Sequence, residues 1–143
     1  MKYSHKFSDA IHILAYLVIY KDGDLSSKAI SSSVEANASV IRSLMSNLKK
    51  AGLIQSRQGI SGATLTRDPK DISLLDIYEA IDMDHQLLHV DPKTNPHCIV
   101  GGNIQVVLNK TYHQIQDKAL DEMRQTSLQD VLDDIIVNQN AKA

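Results

Sequence analysis

A glycine-rich stretch, GLIQSRQGISGATLTRD, occupies residues 52–68 and separates two helical segments of this 143-residue chain. It holds three of the six glycines, and each glycine in a helix interior costs about 1 kcal/mol relative to alanine. Its apolar and β-branched residues suit short strands, and Gly59 and Gly62 suit the turn between them. The stretch therefore predicts a two-stranded hairpin inserted into an otherwise helical chain.

Helical patterns lie on both sides of this hairpin, and most begin at a capping residue. Ser26 and Asn37 precede the second and third helices, and Ser73 and Ser127 each stand three residues before an acid, as in a capping box. The predicted helices cover residues 7–20, 26–33, 37–50, 73–83 and 103–125, and a last helix begins near residue 127. Three helices followed by a ribbon is the order of a winged helix-turn-helix, so we predict a mainly α fold with a small β-wing.

The third helix has two chemically different faces. At 100° per residue, Val40, Ile41, Met45 and Leu48 lie within about 100° of Leu44, which predicts a buried face. The opposite face carries no acid and consists of Ser39, Arg42, Ser43, Ser46, Lys49 and Lys50. Small hydroxyl side chains permit close approach to a DNA groove, and arginine can bind guanine edges. An ordinary solvated face is the alternative interpretation.

The charge distribution also favours a nucleic-acid partner. Residues 1–70 carry a net charge of +5, whereas residues 71–143 carry −7, for a total of −2. We expect Arg57 and Gln58 to project near the hairpin tip, where an arginine can enter the minor groove of double-stranded DNA. The predicted DNA-binding residues are Lys28, Ser39, Arg42, Ser43, Ser46, Lys49, Lys50, Arg57 and Gln58.

Several other classes of protein are not indicated. The chain has no nucleophile elbow, phosphate-binding loop, zinc-protease helix or dinucleotide fingerprint, so we do not expect an enzyme. No apolar run approaches the 18 residues of a membrane span. The first residues are followed by no signal-peptide cleavage site, which predicts a cytoplasmic protein. The single cysteine, Cys98, excludes an intrachain disulfide framework.

Residues 37–81 resemble the Rrf2 family of bacterial winged-helix transcriptional regulators. The matching elements are V-x-R-x-L, L-x-K-A-G-L, S-R-x-G-x-x-G, D-P and I-x-L-x-D-I-x-x-A, between Val40 and Ala80. The resemblance implies a recognition helix and a wing on DNA, and a homodimer held by a long C-terminal helix. Residues 103–125 contain a suitable apolar stripe, although a core helix would show the same spacing. The predicted dimerisation residues are Ile104, Leu108, Ile115, Ala119 and Met123.

The chain departs from the family pattern at two places. Family members that bind an iron–sulfur cluster usually carry three cysteines before the long helix, whereas Cys98 stands alone here, so we expect no cluster, metal or other cofactor. Gly62-Ala63-Thr64 replaces the usual Gly-Gly-Tyr after the wing turn. Cys98 is a candidate redox sensor, because a helix N-terminus or His97 can adjust the pKa of its thiol. A merely tolerated cysteine is the alternative, and a small-molecule effector is a further option.

Three segments are predicted: a winged helix-turn-helix DNA-binding domain at 1–83, a linker or sensor region at 84–102, and a dimerisation helix with a terminal helix at 103–143. Together they predict a homodimeric transcriptional regulator, a repressor, acting on a pseudo-palindromic operator in response to an oxidant or small molecule. The alternative is a winged-helix module that binds a protein and does not bind DNA.

Overall fold

The computed structural model describes residues 4–142, and within them the chain forms a mainly helical fold with one small sheet. Residues 1–3, on which the expectation of no leader partly rests, and residue 143 lie outside the described part. The elements are α1 (Lys6–Ile19), α2 (Ser27–Val34), α3 (Ala38–Lys50), β1 (Ile54–Ser56), β2 (Ala63–Leu65), a 3-10 turn (Pro69–Asp71), α4 (Leu74–Ala80), α5 (Ile104–Gln125) and α6 (Leu128–Ala141).

The predicted starts of α2, α3, α4 and α6 are confirmed by their caps. The Ser26 hydroxyl accepts the Ala29 N–H at 3.2 Å, and the Asn37 side chain accepts the Ser39 N–H at 2.8 Å. Reciprocal capping boxes open α4 at Ser73 and α6 at Ser127. Each such cap satisfies donors that a helix end otherwise leaves unpaired.

The end of α4 was predicted incorrectly. The sequence pattern predicts a helix through about Met83, but α4 ends at Ala80 and Ile81 has an extended backbone at φ −90° and ψ 145°. Ile81 is 1 % exposed and belongs to the hydrophobic core. An extended residue there places its side chain in the core, and this tertiary contact overrides the helical pattern.

One hydrophobic core unites α1 to α4, the sheet and α6. Its centre is α1, which contacts α2, α3, β2, α4 and α6, and whose Ile13 and Leu14 are completely buried. Leu128 and Leu132 bring α6 into the same core. Main-chain bonds reinforce this contact, because the Leu128 N–H donates to the Ile72 carbonyl at 2.8 Å. Within residues 103–143, α6 therefore packs on the winged-helix elements, and α5 does not share that core.

The predicted hairpin is a two-stranded antiparallel sheet, with Ile54 opposite Leu65 and Ser56 opposite Ala63. Gly62 has φ +107°, and a Cβ there would lie 2.6 Å from the Cβ of Leu25. Only glycine fits this close approach, which holds the loop of the hairpin against the turn between α1 and α2. Ala63, in the Gly-Ala-Thr departure, is completely buried.

Residues 84–103 connect α4 to α5 with turns and no regular helix or strand, as predicted. The Gln116 side chain of α5 holds this segment: its Oε1 accepts the Leu87 N–H at 3.0 Å and its Nε2 donates to the His85 carbonyl at 2.7 Å. The principal neighbour of α5 is α4, and none of its 22 residues is buried. No helix within residues 4–142 is long and apolar enough to cross a membrane.

Candidate nucleic-acid interface

The two faces of α3 are divided as the sequence predicts. Ile41, Leu44, Met45 and Leu48 are at most 7 % exposed and face the core. All of the residues predicted on the outer face are exposed, namely Ser39, Arg42, Ser43, Ser46, Lys49 and Lys50. The outer face is therefore a continuous polar and basic surface, available to a ligand as large as a DNA groove.

The prediction that Val40 is buried is wrong. Its side chain is 39 % exposed, at the edge of the outer face. Angular position on a helix predicts burial only where another element covers that turn. Val40 lies in the first turn of α3, where Ile41 occupies the core position. Its place in that first turn is the sequence signal that could have predicted its exposure, because the first turn of a recognition helix is the part that contacts bases.

Hydrogen bonds at the start of α3 restrict Ser39. Its hydroxyl donates to the Asn37 side-chain oxygen at 2.8 Å, and its N–H donates to the same oxygen at 2.8 Å. The Ser39 hydroxyl proton is thus already used, and its oxygen can act on a ligand only as an acceptor. Ser43 and Ser46 have no hydroxyl bond of this kind among the described residues.

The end of α3 places the wing directly beside it. Gly52 has φ +78°, its N–H donates to the Lys49 carbonyl at 2.9 Å, and the Leu53 N–H donates to the Leu48 carbonyl at 3.0 Å. This Schellman arrangement turns the chain sharply at the last helical residue, so β1 begins two residues after Gly52. Helix and wing consequently form one surface.

The cations of this surface form no ion pair among the described residues. The ion pairs within residues 4–142 do not involve Lys28, Arg42, Lys49 or Lys50. Lys28 is exposed on α2, which contacts α3. In a helix-turn-helix this first helix crosses the DNA backbone, so a lysine there suits a phosphate contact.

Arg57 does not project from the wing as the sequence suggested. It is half-buried, and its guanidinium donates to the Ser61 carbonyl. The backbone N–H of Arg57 donates to the Gly62 carbonyl at 3.2 Å. The pKa of Asp24 lies below its usual value, first because the Ser26 N–H donates to its carboxylate and then through the Ser26 hydroxyl and the charge of Arg57. Arg57 thus braces the wing loop near an acid, because a carbonyl within the loop attracts its guanidinium.

The tip of the wing consists of other residues. Gln58, Gly59 and Ile60 are exposed there, so the predicted exposure of Gln58 is confirmed. Gly59 has φ +75°, the backbone that the turn requires. The wing therefore presents an amide and an aliphatic side chain at its tip, with the arginine behind them.

The apolar stripe of α5 lies partly open to solvent. Of the predicted dimerisation residues, Ile115 is 46 % exposed, and Ile104, Leu108, Ala119 and Met123 are half-buried. Val107, beside this stripe, is also exposed. The structure therefore brings these residues together on one helix face, and that face has no complete cover within the described chain.

Cys98 is exposed in the turns before α5. Its pKa lies below the ordinary thiol value, because the N–H groups of Gly101 and then Val100 hydrogen bond to the sulfur. No group of three or more His, Cys, Asp or Glu side chains within residues 4–142 could hold a metal ion.

In this chain α2 and α3 form a helix-turn-helix, the outer face of α3 is exposed and basic, and a β-wing follows. This arrangement defines the winged helix-turn-helix class of DNA-binding proteins. The sequence matches the Rrf2 family, described as iron-dependent transcriptional regulators, over residues 3–134. YwnA of Bacillus subtilis (strain 168), assigned by its name to the HTH-type transcriptional regulators, is 42 % identical over 123 residues, which cover 86 % of this chain and 91 % of YwnA. The chain belongs to the Rrf2 family of transcriptional regulators.

Solved structures agree with this assignment. A crystal structure described as a DNA-binding protein is 39 % identical with a TM-score of 0.69, and the match covers 89 % of this chain and 98 % of that one. The cysteine regulator CymR of Bacillus subtilis, at 22 % identity, shares the fold with a TM-score of 0.67, over 93 % of this chain and 97 % of CymR. The protein is a DNA-binding transcriptional regulator rather than an enzyme, and the module that binds only protein is not favoured.

Proposed function

We propose that this regulator binds a pseudo-palindromic operator as a homodimer and represses transcription. In each half-site α3 enters the major groove, where Arg42, Ser43 and Ser46 contact base edges and Ser39 accepts a hydrogen bond. Lys28, Lys49 and Lys50 contact phosphates and position the protein. The observation that carries this proposal is the acid-free outer face of α3, whose cations have no ion-pair partner within residues 4–142.

The wing contributes to the same complex. Gln58 at its tip contacts the minor groove, and Arg57 acts through the shape that it imposes on the loop and through its positive charge. Gly62 supports this arrangement, because its tight contact with Leu25 fixes the wing relative to the helix-turn-helix.

The homodimer forms through α5. Two-fold symmetry places the same apolar residues of both copies, around Ile115, in one interface. A dimer of this kind contacts two half-sites whose centres are about 34–36 Å apart, or a multiple of that distance. The support for this interface is the apolar stripe of α5, which the chain itself leaves partly uncovered.

Segment 84–102 receives the regulatory signal, and no iron–sulfur cluster or other cofactor is needed. Cys98 supports an oxidant as the signal, since it is exposed and its thiol pKa is lowered. A small molecule bound by this segment is the other candidate. Mild oxidation should change the operator affinity of the wild type and should leave that of Cys98→Ser unchanged. Because the partner is DNA, we place the protein in the cytoplasm.

Salt titration of DNA binding tests the proposal. The logarithm of the binding constant should fall linearly with the logarithm of salt concentration, with a slope of about −0.9 for each phosphate contact. Lys50→Gln removes one phosphate contact from each subunit of the dimer and should reduce the magnitude of the slope by about two, whereas Lys142→Gln at the end of α6 should leave it unchanged. Absence of binding to any duplex at low salt would contradict the proposal and favour a protein partner.

A further inference from the structure

Val40 is an exposed apolar side chain at the edge of the otherwise polar outer face of α3. It is 39 % exposed, whereas the other branched or long apolar residues of α3 are at most 7 % exposed. Its N–H donates to the Asn37 carbonyl at 3.0 Å, which places it in the first turn of the helix. Ser43 follows three positions later and is therefore its neighbour on the surface. Val40 thus borders the row of residues proposed to contact bases.

The chemistry of the major groove includes one apolar group. Thymine presents a C5-methyl there, and apolar side chains contact it, whereas the other groups on the base edges are hydrogen-bond donors and acceptors. The first residues of a recognition helix are those that reach the bases. In the first turn of α3, the Ser39 hydroxyl already donates to Asn37 and can only accept from a base, so Val40 is the side chain there that is suited to an apolar contact.

We propose that Val40 determines specificity by packing its γ-methyl groups against the C5-methyl of one thymine in each half-site. This inference rests on the proposed function, because it requires α3 in the major groove. One methyl-sized group removed from water corresponds to about a fourfold change in affinity. In a symmetric dimer the contact occurs twice, so the effect on a complete operator is about 15-fold.

Uracil substitution tests this contact, because deoxyuridine differs from thymidine only by that methyl group. An operator is first selected from a random duplex pool with the wild-type protein. The two symmetry-related thymidines at each position of the half-sites are then replaced together by deoxyuridine. At one thymine per half-site the replacement should weaken wild-type binding about 15-fold and should not weaken Val40→Ala. On the unmodified operator Val40→Ala should show the same 15-fold loss, and on random duplex it should bind as the wild type does. Such non-additivity identifies a direct pair.

Val137→Ala is the matched control, since Val137 is also exposed but lies on α6, and it should behave as the wild type throughout. Thermal unfolding by circular dichroism checks that both variants fold. The contact would be overturned if the affinity losses from uracil and from Val40→Ala were additive at every thymine, or if Val40→Ala lost no affinity. In either case, operator binding by the wild type would still support the proposed function. Failure of the wild type to bind any duplex would overturn the proposed function itself.

Discussion

The winged-helix body and helix α5 differ in what covers their apolar residues. In the body, formed by α1 to α4, the sheet and α6, the apolar side chains of several elements meet in one core with no buried polar residue within 4–142. Helix α5 is the longest helix of the described chain and buries none of its residues. The body therefore completes its core within one chain, whereas the stripe of α5 is suited to a surface that a second copy supplies.

Because of this difference, apolar burial in the body contributes to the free energy of folding, whereas apolar burial along α5 would contribute to the free energy of assembly. Burial in the body stabilises the folded chain, and the outer face of α3 remains available because its opposite face is firmly packed. Burial along α5 would instead stabilise an assembly, and its free energy depends on protein concentration. Substitutions in the two regions should consequently affect different measurements.

Leu44→Ala should have the largest effect on folding. Leu44 is 1 % exposed on the inner face of α3, and removing a buried leucine side chain costs about 2–5 kcal/mol in the free energy of unfolding. Urea unfolding measures this loss. Val106→Ala is the control in α5, because Val106 is 75 % exposed and should change the free energy by about 0.5 kcal/mol or less. Equal losses in both variants would remove the distinction between the two regions.

Ile115→Asp should affect assembly rather than folding. In a symmetric dimer the change removes two buried isoleucines, at about 1.5 kcal/mol or more each, and weakens the dimer about 100-fold or more. Sedimentation equilibrium measures the dissociation constant, and circular dichroism should show an unchanged helix content. Val106→Asp is the matched control, because Val106 lies on the same helix about 160° from the centre of the stripe. An unchanged dissociation constant for Ile115→Asp would refute this interface.

Local chemistry explains which features could be predicted from the sequence. The caps at Ser26, Asn37, Ser73 and Ser127 depend on hydrogen bonds within three residues, so their pattern is visible in the chain. The hairpin could also be predicted from the sequence, because Gly59 and Gly62 have the positive φ values that its turn requires. These features place α3 and the wing, and hence most of the candidate site.

Contacts between distant segments explain the errors. The exposure of Val40 depends on where neighbouring elements end, and Ile81 leaves the helical pattern to reach the core. Arg57 was correctly placed near the wing tip, but the sequence cannot show that its guanidinium bonds back to Ser61. The apolar positions of α6 were also visible, whereas the surface that they meet was not.

Arg42→Ala should reduce operator affinity about 30-fold or more, because a bidentate contact to guanine contributes about 1–3 kcal/mol of discrimination and the dimer makes this contact twice. Binding to random duplex should fall much less, since it depends on phosphate contacts. Fluorescence anisotropy with both duplexes measures the ratio. Arg124→Ala is the control in α5, where Arg124 pairs with Asp121. Equal losses on operator and random DNA would make Arg42 a phosphate contact and leave base readout to other residues.

The smallest expected effect is a shift in the pH dependence of Cys98 alkylation. Hydrogen bonds from Gly101 and Val100 lower the pKa of the thiol in the folded chain, so the thiolate should form at lower pH than in urea-unfolded protein. The stabilisation of the folded state from this thiolate is present above the unfolded pKa and is lost as the pH falls through the folded pKa. Iodoacetamide rates across pH measure both midpoints.

Gly101→Ala provides the matched variant for this measurement. A Cβ at Gly101 would lie 2.2 Å from the Asn95 carbonyl, so the turn that directs the N–H groups at Cys98 must shift. The folded midpoint should then move up toward the unfolded one. The 84–102 segment lies outside the core of the body, so the unfolding free energy should change much less than in Leu44→Ala. Identical midpoints in folded and unfolded wild type would show that the backbone does not activate Cys98, and would favour a small molecule as the signal.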